Sequence, residues 1–194
     1  MGMRSGVNQT ENRYQQRMDV DIRREEAERR GKEIEPVCEK FLATVGKHVF
    51  EHVRRATEQE DHDKIDFVVT LKNGKLITLQ LTCAESKEIQ LEKIAEMMYQ
   101  PAVGMLYPKE APPQRLEEPA IRVVIFARPQ KWDKALENFK NGKDPEAYFP
   151  NAHEELDFIL DQIYLSLQHL FDAKPDLRSV ILPQLSYFKS ALVQ

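Results

Sequence analysis

Cysteine, glycine and long apolar runs are all scarce in this chain, and each scarcity removes a class of protein. Two cysteines in 194 residues, Cys38 and Cys83, can build neither a disulfide framework nor a four-cysteine zinc site. Seven glycines exclude a collagen-like chain. No apolar stretch approaches the ~20 residues that cross a bilayer, and none follows Met1 as a secretory signal would. A cytoplasmic protein with no membrane partner is therefore expected. An excess of positive charge is also missing: 28 Lys and Arg stand against 32 Asp and Glu, a net charge of -4, which excludes a generic basic coat protein for nucleic acid. The balance is uneven along the chain, +2 over residues 1–57 and -6 over the remainder.

What the chain does have is charge of both signs, 31% of residues, and a mean hydropathy of -0.57, the marks of a heavily charged surface. Its length suits one domain with an appendage. Residues 1–12 read as a polar tail. From Arg13 to Lys32 opposite charges recur three and four apart, which supports an exposed helix with a thin apolar stripe of Tyr14, Met18 and Ile22. Residues 1–35 are thus read as a mobile or helical arm, and 36–194 as a single α/β domain.

That domain opens with a helix at Pro36, whose apolar face is Cys38, Phe41, Leu42, Val45 and Val49. Residues 65–71 and 76–82 are short and rich in β-branched residues, hence strands, joined by a hairpin turn at Lys72-Asn73-Gly74-Lys75. A helix is expected over 85–99, a proline-stiffened surface loop over 101–119, and a strand buried on both faces at Ile121–Ala127. A short helix at Trp132–Phe139 follows. Asn151 then caps a long helix that stops before Lys174-Pro175, and 178–185 reads as a short edge strand limited by Pro183.

The order of these elements and the residues Asp66, Gln80 and Thr82 resemble the PD-(D/E)XK nuclease superfamily, the restriction-endonuclease-like fold. The resemblance covers about residues 36–127, with 128–194 as a helical extension. It implies a mixed sheet flanked by helices and a Mg²⁺ site for phosphodiester hydrolysis. Asp66 stands at the family's first acid, Gln80 at the second acidic position, Thr82 where the family has lysine, and Glu39 on the preceding helix at the accessory acid. The implied metal ligands are Asp66, Gln80 and Glu39, and the implied partner is nucleic acid. Gln80 offers a neutral oxygen in place of a carboxylate, and Thr82 carries no charge to stabilise a developing anion. The motif is therefore degenerate, and an inactive module that binds nucleic acid or a protein partner is the alternative.

Hairpin register tests this placement. A two-residue turn at Asn73-Gly74 would send Asp66 and Gln80 to opposite faces. A three-residue loop with Gly74 left-handed sets Asp66 across from Gln80 and Lys64 across from Thr82, and gives the cleaner apolar alternation. Lys64 would then supply the missing ammonium, with Lys87 as the other candidate, and Arg54 and Arg55 would contact phosphates. Two competing motifs are present. His48-x-x-Glu51-His52 matches an inverted zinc-hydrolase pattern if it lies on a helix, and Asp61-His62-Asp63 matches the histidine–aspartate pair of all-helical phosphohydrolases. Cys38 and Cys83 read as core thiols.

Overall fold

A computed structural model describes the backbone of residues 5–192 and the side chains of Met18 and residues 21–192. Its first element is a single helix, α1 (Ser5–Thr44), where the sequence suggests a separate arm and a second helix from Pro36. The stretch expected as a tail is helical from Ser5, residues 1–4 lie outside the described residues, and so does the side chain of Tyr14. Proline at 36 has no N–H, so the carbonyl of Lys32 loses its usual helical donor. The helix continues because Ile34, Val37, Cys38, Phe41 and Leu42, on both sides of the proline, are at most 2% exposed.

The five strands are β1 (Phe50–Arg55), β2 (Phe67–Leu71), β3 (Leu76–Thr82), β4 (Ala102–Leu106) and β5 (Gln114–Phe126), in the spatial order β1-β2-β3-β5-β4. All neighbours are antiparallel except β3 and β5, which run parallel. Between β1 and β2 lies a short helix, α2 (Glu58–His62), and between β3 and β4 lies α3 (Lys87–Tyr99). Helices α4 (Pro129–Lys140), α5 (Ala152–Ala173) and α6 (Arg178–Ala191) complete the chain. The molecule is thus an α/β protein with a mixed five-stranded sheet flanked by helices. Among the described residues no helix is long and apolar enough to cross a membrane.

The β2–β3 hairpin has the three-residue loop. Gly74 has φ +78°, its N–H donates to Leu71, and the pairs are Phe67 with Leu79, Val68 with Thr78 and Val69 with Ile77. Phe67, Val69, Leu71, Ile77, Leu79 and Leu81 join the main core with α1, α4, α5 and α6, whereas Ile65 joins a small second cluster with Val68 and Leu106. Trp132 anchors α4: it is 1% exposed, stands edge-on to Phe41 and Phe149, and donates from Nε1 to Glu155. Both cysteines are buried and free.

Three expectations are corrected. Residues 101–119 are not one loop: they hold β4 and the first half of β5, with four of the five prolines outside paired segments and Pro119 in a stretch where the β4–β5 register slips. Residues 178–185 are helical, because Ile181, Gln184 and Phe188 are buried at helical spacing and carry the periodicity past Pro183. His48 sits in a turn and His52 on β1, both exposed, so they do not share a helical face and the zinc-hydrolase pattern has no geometry behind it.

Candidate functional site

A cavity of about 270 Å³ lies where α1 crosses the ends of β2 and β3. Asp66, Gln80, Thr82 and Lys64 all line it, together with Glu35, Lys32, Asp61, His62 and Lys93. The hairpin brings Gln80 and Thr82 beside Asp66, and the turn after α2 brings Lys64. Asp66 lies one residue before β2, and its Oδ2 accepts a 2.5 Å hydrogen bond from the N–H of Leu81. Gln80 and Thr82 alternate along β3 with Thr78, so all three leave the strand on one face. All three are buried, a polar row on a strand whose other face is apolar.

That polar row is not satisfied. Gln80 is 6% exposed, yet its Oε1 has no hydrogen-bond partner; Thr78 Oγ1 and Nε of Arg122, the residue paired with Thr78 on β5, are in the same condition. A buried polar atom without a partner costs about 1–3 kcal/mol, and native proteins rarely keep one without a use.

Lys64 breaks a second local rule. The end of α2 closes as a paired-bond helix stop: Ile65 N–H donates to Glu60 and Lys64 N–H to Asp61. The motif needs a left-handed residue at its fifth place, usually glycine, and here Lys64 has φ +61°. Lysine there costs about 1 kcal/mol. Lys64→Gly is therefore expected to raise stability by about 1 kcal/mol in chemical denaturation, while removing a cation from the cavity rim.

The acids break a third. Burial, aided by Asp61, raises the Asp66 carboxyl to about 6 although the Leu81 N–H and two lysines oppose the shift. Burial, with Asp66 and Asp61 nearby, raises Glu35 to about 7. Glu35 lies one helical turn before Glu39. The stripe Glu28, Gly31, Lys32, Glu35 faces the cavity, but Glu39 has already turned to Arg55, whose Nε lies 3.2 Å away and whose N–H donates to it.

Glu39 and Arg55 thus pair with each other outside the cavity. Arg54 is also committed: its guanidinium makes two bonds of 2.7 and 2.8 Å to Glu60. Glu60 is wholly buried and further accepts from the N–H groups of Thr57 and Tyr107. Burial alone would raise its carboxyl, but these donors outweigh it and hold it below the usual range. Lys87, at the start of α3, does not line the cavity; Lys93, further along the same helix, does.

Residues the sequence reading passed over support the site from behind. Arg122 donates from Nη2 to the Asp63 carbonyl at 2.6 Å and so fixes the turn that carries Lys64. Glu60 fixes α2. A buried Thr-x-Gln-x-Thr row on an otherwise apolar strand was the available signal for the polar face. Glu35 had none beyond its helical spacing to Glu39.

No family model matches the chain, and no curated protein or solved structure gives a match. The functional reading therefore rests on the geometry of this cavity. Its lining offers two buried or half-buried carboxyls, Asp66 and Glu35, and the Gln80 amide, beside His62 and three lysines. Among the described residues there is no group of three His, Cys, Asp or Glu able to hold a metal.

Proposed function

We propose that this chain is a degenerate restriction-endonuclease-like protein whose cavity binds a divalent cation, Mg²⁺ in the cell, and hydrolyses a nucleic-acid phosphodiester. The observation that carries the reading is Gln80, a buried amide with an unpartnered Oε1 that lines the same cavity as Asp66. A cation would give that oxygen the partner it lacks, and would offset the cost of burying two carboxylates. Asp66, Gln80 and Glu35 would hold it. When bound, such an ion polarises a phosphate oxygen and lowers the pKa of water.

The chain's own residues would do the rest. Lys64 and Lys93 present ammonium groups at the cavity, where they can balance charge on a phosphate. Glu35, which burial raises to about 7, would return to its charged form on meeting the cation. Asp66 is oriented by the Leu81 N–H, so one oxygen is fixed and the carboxylate cannot swing away. Glu60 and Arg122 are positioning residues for the loop between α2 and β2.

Calorimetric titration with Mn²⁺ tests the reading, followed by incubation with single- and double-stranded DNA and RNA. One ion per chain is expected. Gln80→Leu should weaken it at least about tenfold while leaving thermal stability unchanged or higher, since an unsatisfied amide is removed. Cleavage should be present in the wild type and absent in Asp66→Asn. Mn²⁺ bound without cleavage would favour the inactive binding module. No Mn²⁺ binding at all would end the metal reading.

A further inference from the structure

Building on that reading, we infer that the site accepts the phosphate of a single unpaired nucleotide, as a strand end or a free nucleotide, and not a duplex. The cavity's 270 Å³ falls just under the ~300–1,000 Å³ of pockets that enclose drug-sized ligands, which leaves room for about one nucleotide. Its floor is deep, because Gln80 is 6% exposed.

Helix α1 forms the roof. Gly31 is buried, and a Cβ placed on it would lie 3.8 Å from the Leu81 carbonyl, so the helix rests directly across the end of β3. On one side Arg24 makes two bonds, 2.9 and 2.7 Å, to Glu92 of α3; on the other Lys32 reaches Asp61 of α2 at 3.4 Å. A duplex carries its phosphates on the outside of a stiff, wide rod, which α1 keeps from the floor. A single strand bends and offers one nucleotide at a time, the way enzymes that need a buried contact receive their substrate.

Charge sets an order of binding. Four cations, Arg24, Lys32, Lys64 and Lys93, meet four acids, Glu28, Glu35, Asp61 and Asp66, in the lining. A near-neutral cavity does not attract a phosphate by itself, so the nucleotide follows the divalent ion.

The test uses the full chain and fluorescence anisotropy of a labelled single-stranded oligonucleotide, its duplex, and an unlabelled mononucleotide as competitor, each in Mn²⁺ and in EDTA. The single strand is expected to bind in Mn²⁺ only, at least about tenfold tighter than the duplex. Competition by the mononucleotide identifies the free nucleotide as a sufficient ligand; its absence identifies the strand end. Ala27→Trp, which adds an indole to the α1 side of the cavity lining, should cost at least about tenfold in strand affinity with calorimetric Mn²⁺ binding unchanged. Duplex binding as tight as the single strand, or strand binding untouched by Ala27→Trp, overturns the inference. In both cases intact Mn²⁺ binding leaves the metal reading standing, whereas a wild type that binds no Mn²⁺ removes both.

Discussion

Replacing Glu60 by alanine is expected to cost about 3 kcal/mol or more, lowering the melting temperature by roughly 10 °C. Glu60 lies wholly buried and takes four hydrogen bonds: two from Arg54 and one each from the Thr57 and Tyr107 N–H groups. Removing its carboxylate strands a guanidinium that is only 26% exposed and leaves both backbone donors facing a void. The residual access of Arg54 to water holds the loss toward the lower end of the range. Because α2 leads directly into the Lys64 turn, the same variant should also weaken Mn²⁺ binding. Thermal unfolding by circular dichroism checks the first expectation and calorimetry the second. A melting temperature within two or three degrees of wild type, about what 1 kcal/mol produces in a chain of this size, would remove Glu60 as the hub of this corner. A paired substitution, Arg54→Met with Glu60→Leu, should recover much of the loss, since it leaves no stranded charge.

The second large effect has the opposite sign. At pH 8 the variants Asp66→Asn and Glu35→Gln should each be more stable than wild type, by about 1–2 and about 1 kcal/mol, the latter discounted because Glu35 is only half-buried. Both carboxyls titrate higher in the folded protein than in an unfolded chain, Asp66 at about 6 against 3.8 and Glu35 at about 7 against 4.5. A raised carboxyl means the folded state prefers the protonated group. Its contribution to stability is complete below the unfolded value and is lost as pH rises through the folded one. The wild type therefore weakens between pH 4.5 and 7 through Glu35, and between 3.8 and 6 through Asp66. The amides escape that loss, so the advantage of each variant should shrink across its window and vanish at its acid end. Urea denaturation at pH 5, 6.5 and 8 reads this directly. Saturating Mn²⁺ should reverse the order at pH 8, because only wild type gains from the ion. Variants that are less stable than wild type at pH 8 would mean the two acids are held by ordinary structural partners.

Stability given up at a site and recovered by its removal is the usual mark of a functional centre. Here it appears three times around one cavity: a lysine in a glycine's conformation, an amide oxygen without a donor, and two acids whose burial disfavours their charge.

Much of this corner could be read from residue order, because it depends on local geometry. The Gly74 loop sets the hairpin register, and that register decides which side of the sheet Asp66 and Gln80 occupy. Lys64 was expected at the cavity through a cross-strand pairing with Thr82; it arrives by the α2 stop, a backbone route that its residue type disguises. The accessory acid is where spacing misled. Glu35 and Glu39 are one turn apart on the same stripe, and only the docking of α1 decides that the earlier one faces the cavity and the later one meets Arg55. Arg54 and Arg55 looked available for phosphates because their partners, Glu60 and Glu39, are fixed by tertiary contacts. The misreading of 101–119 has the same origin: prolines exclude ladder donors at single positions, and β4 and β5 pair at the positions between them.

The proline within α1 divides one rod, about 60 Å long, into halves with different lives. Beyond it, Val37, Cys38, Phe41 and Leu42 are sealed in the main core, and their amides can exchange with deuterium only when the whole domain opens. Before it, the turns over the cavity are held by Gly31, Ile34 and a few surface ion pairs, so they can fray and reclose on their own. Amide exchange should step sharply at this point, and a ligand beneath the roof would narrow the step, slowing the earlier half by more than it slows the later one.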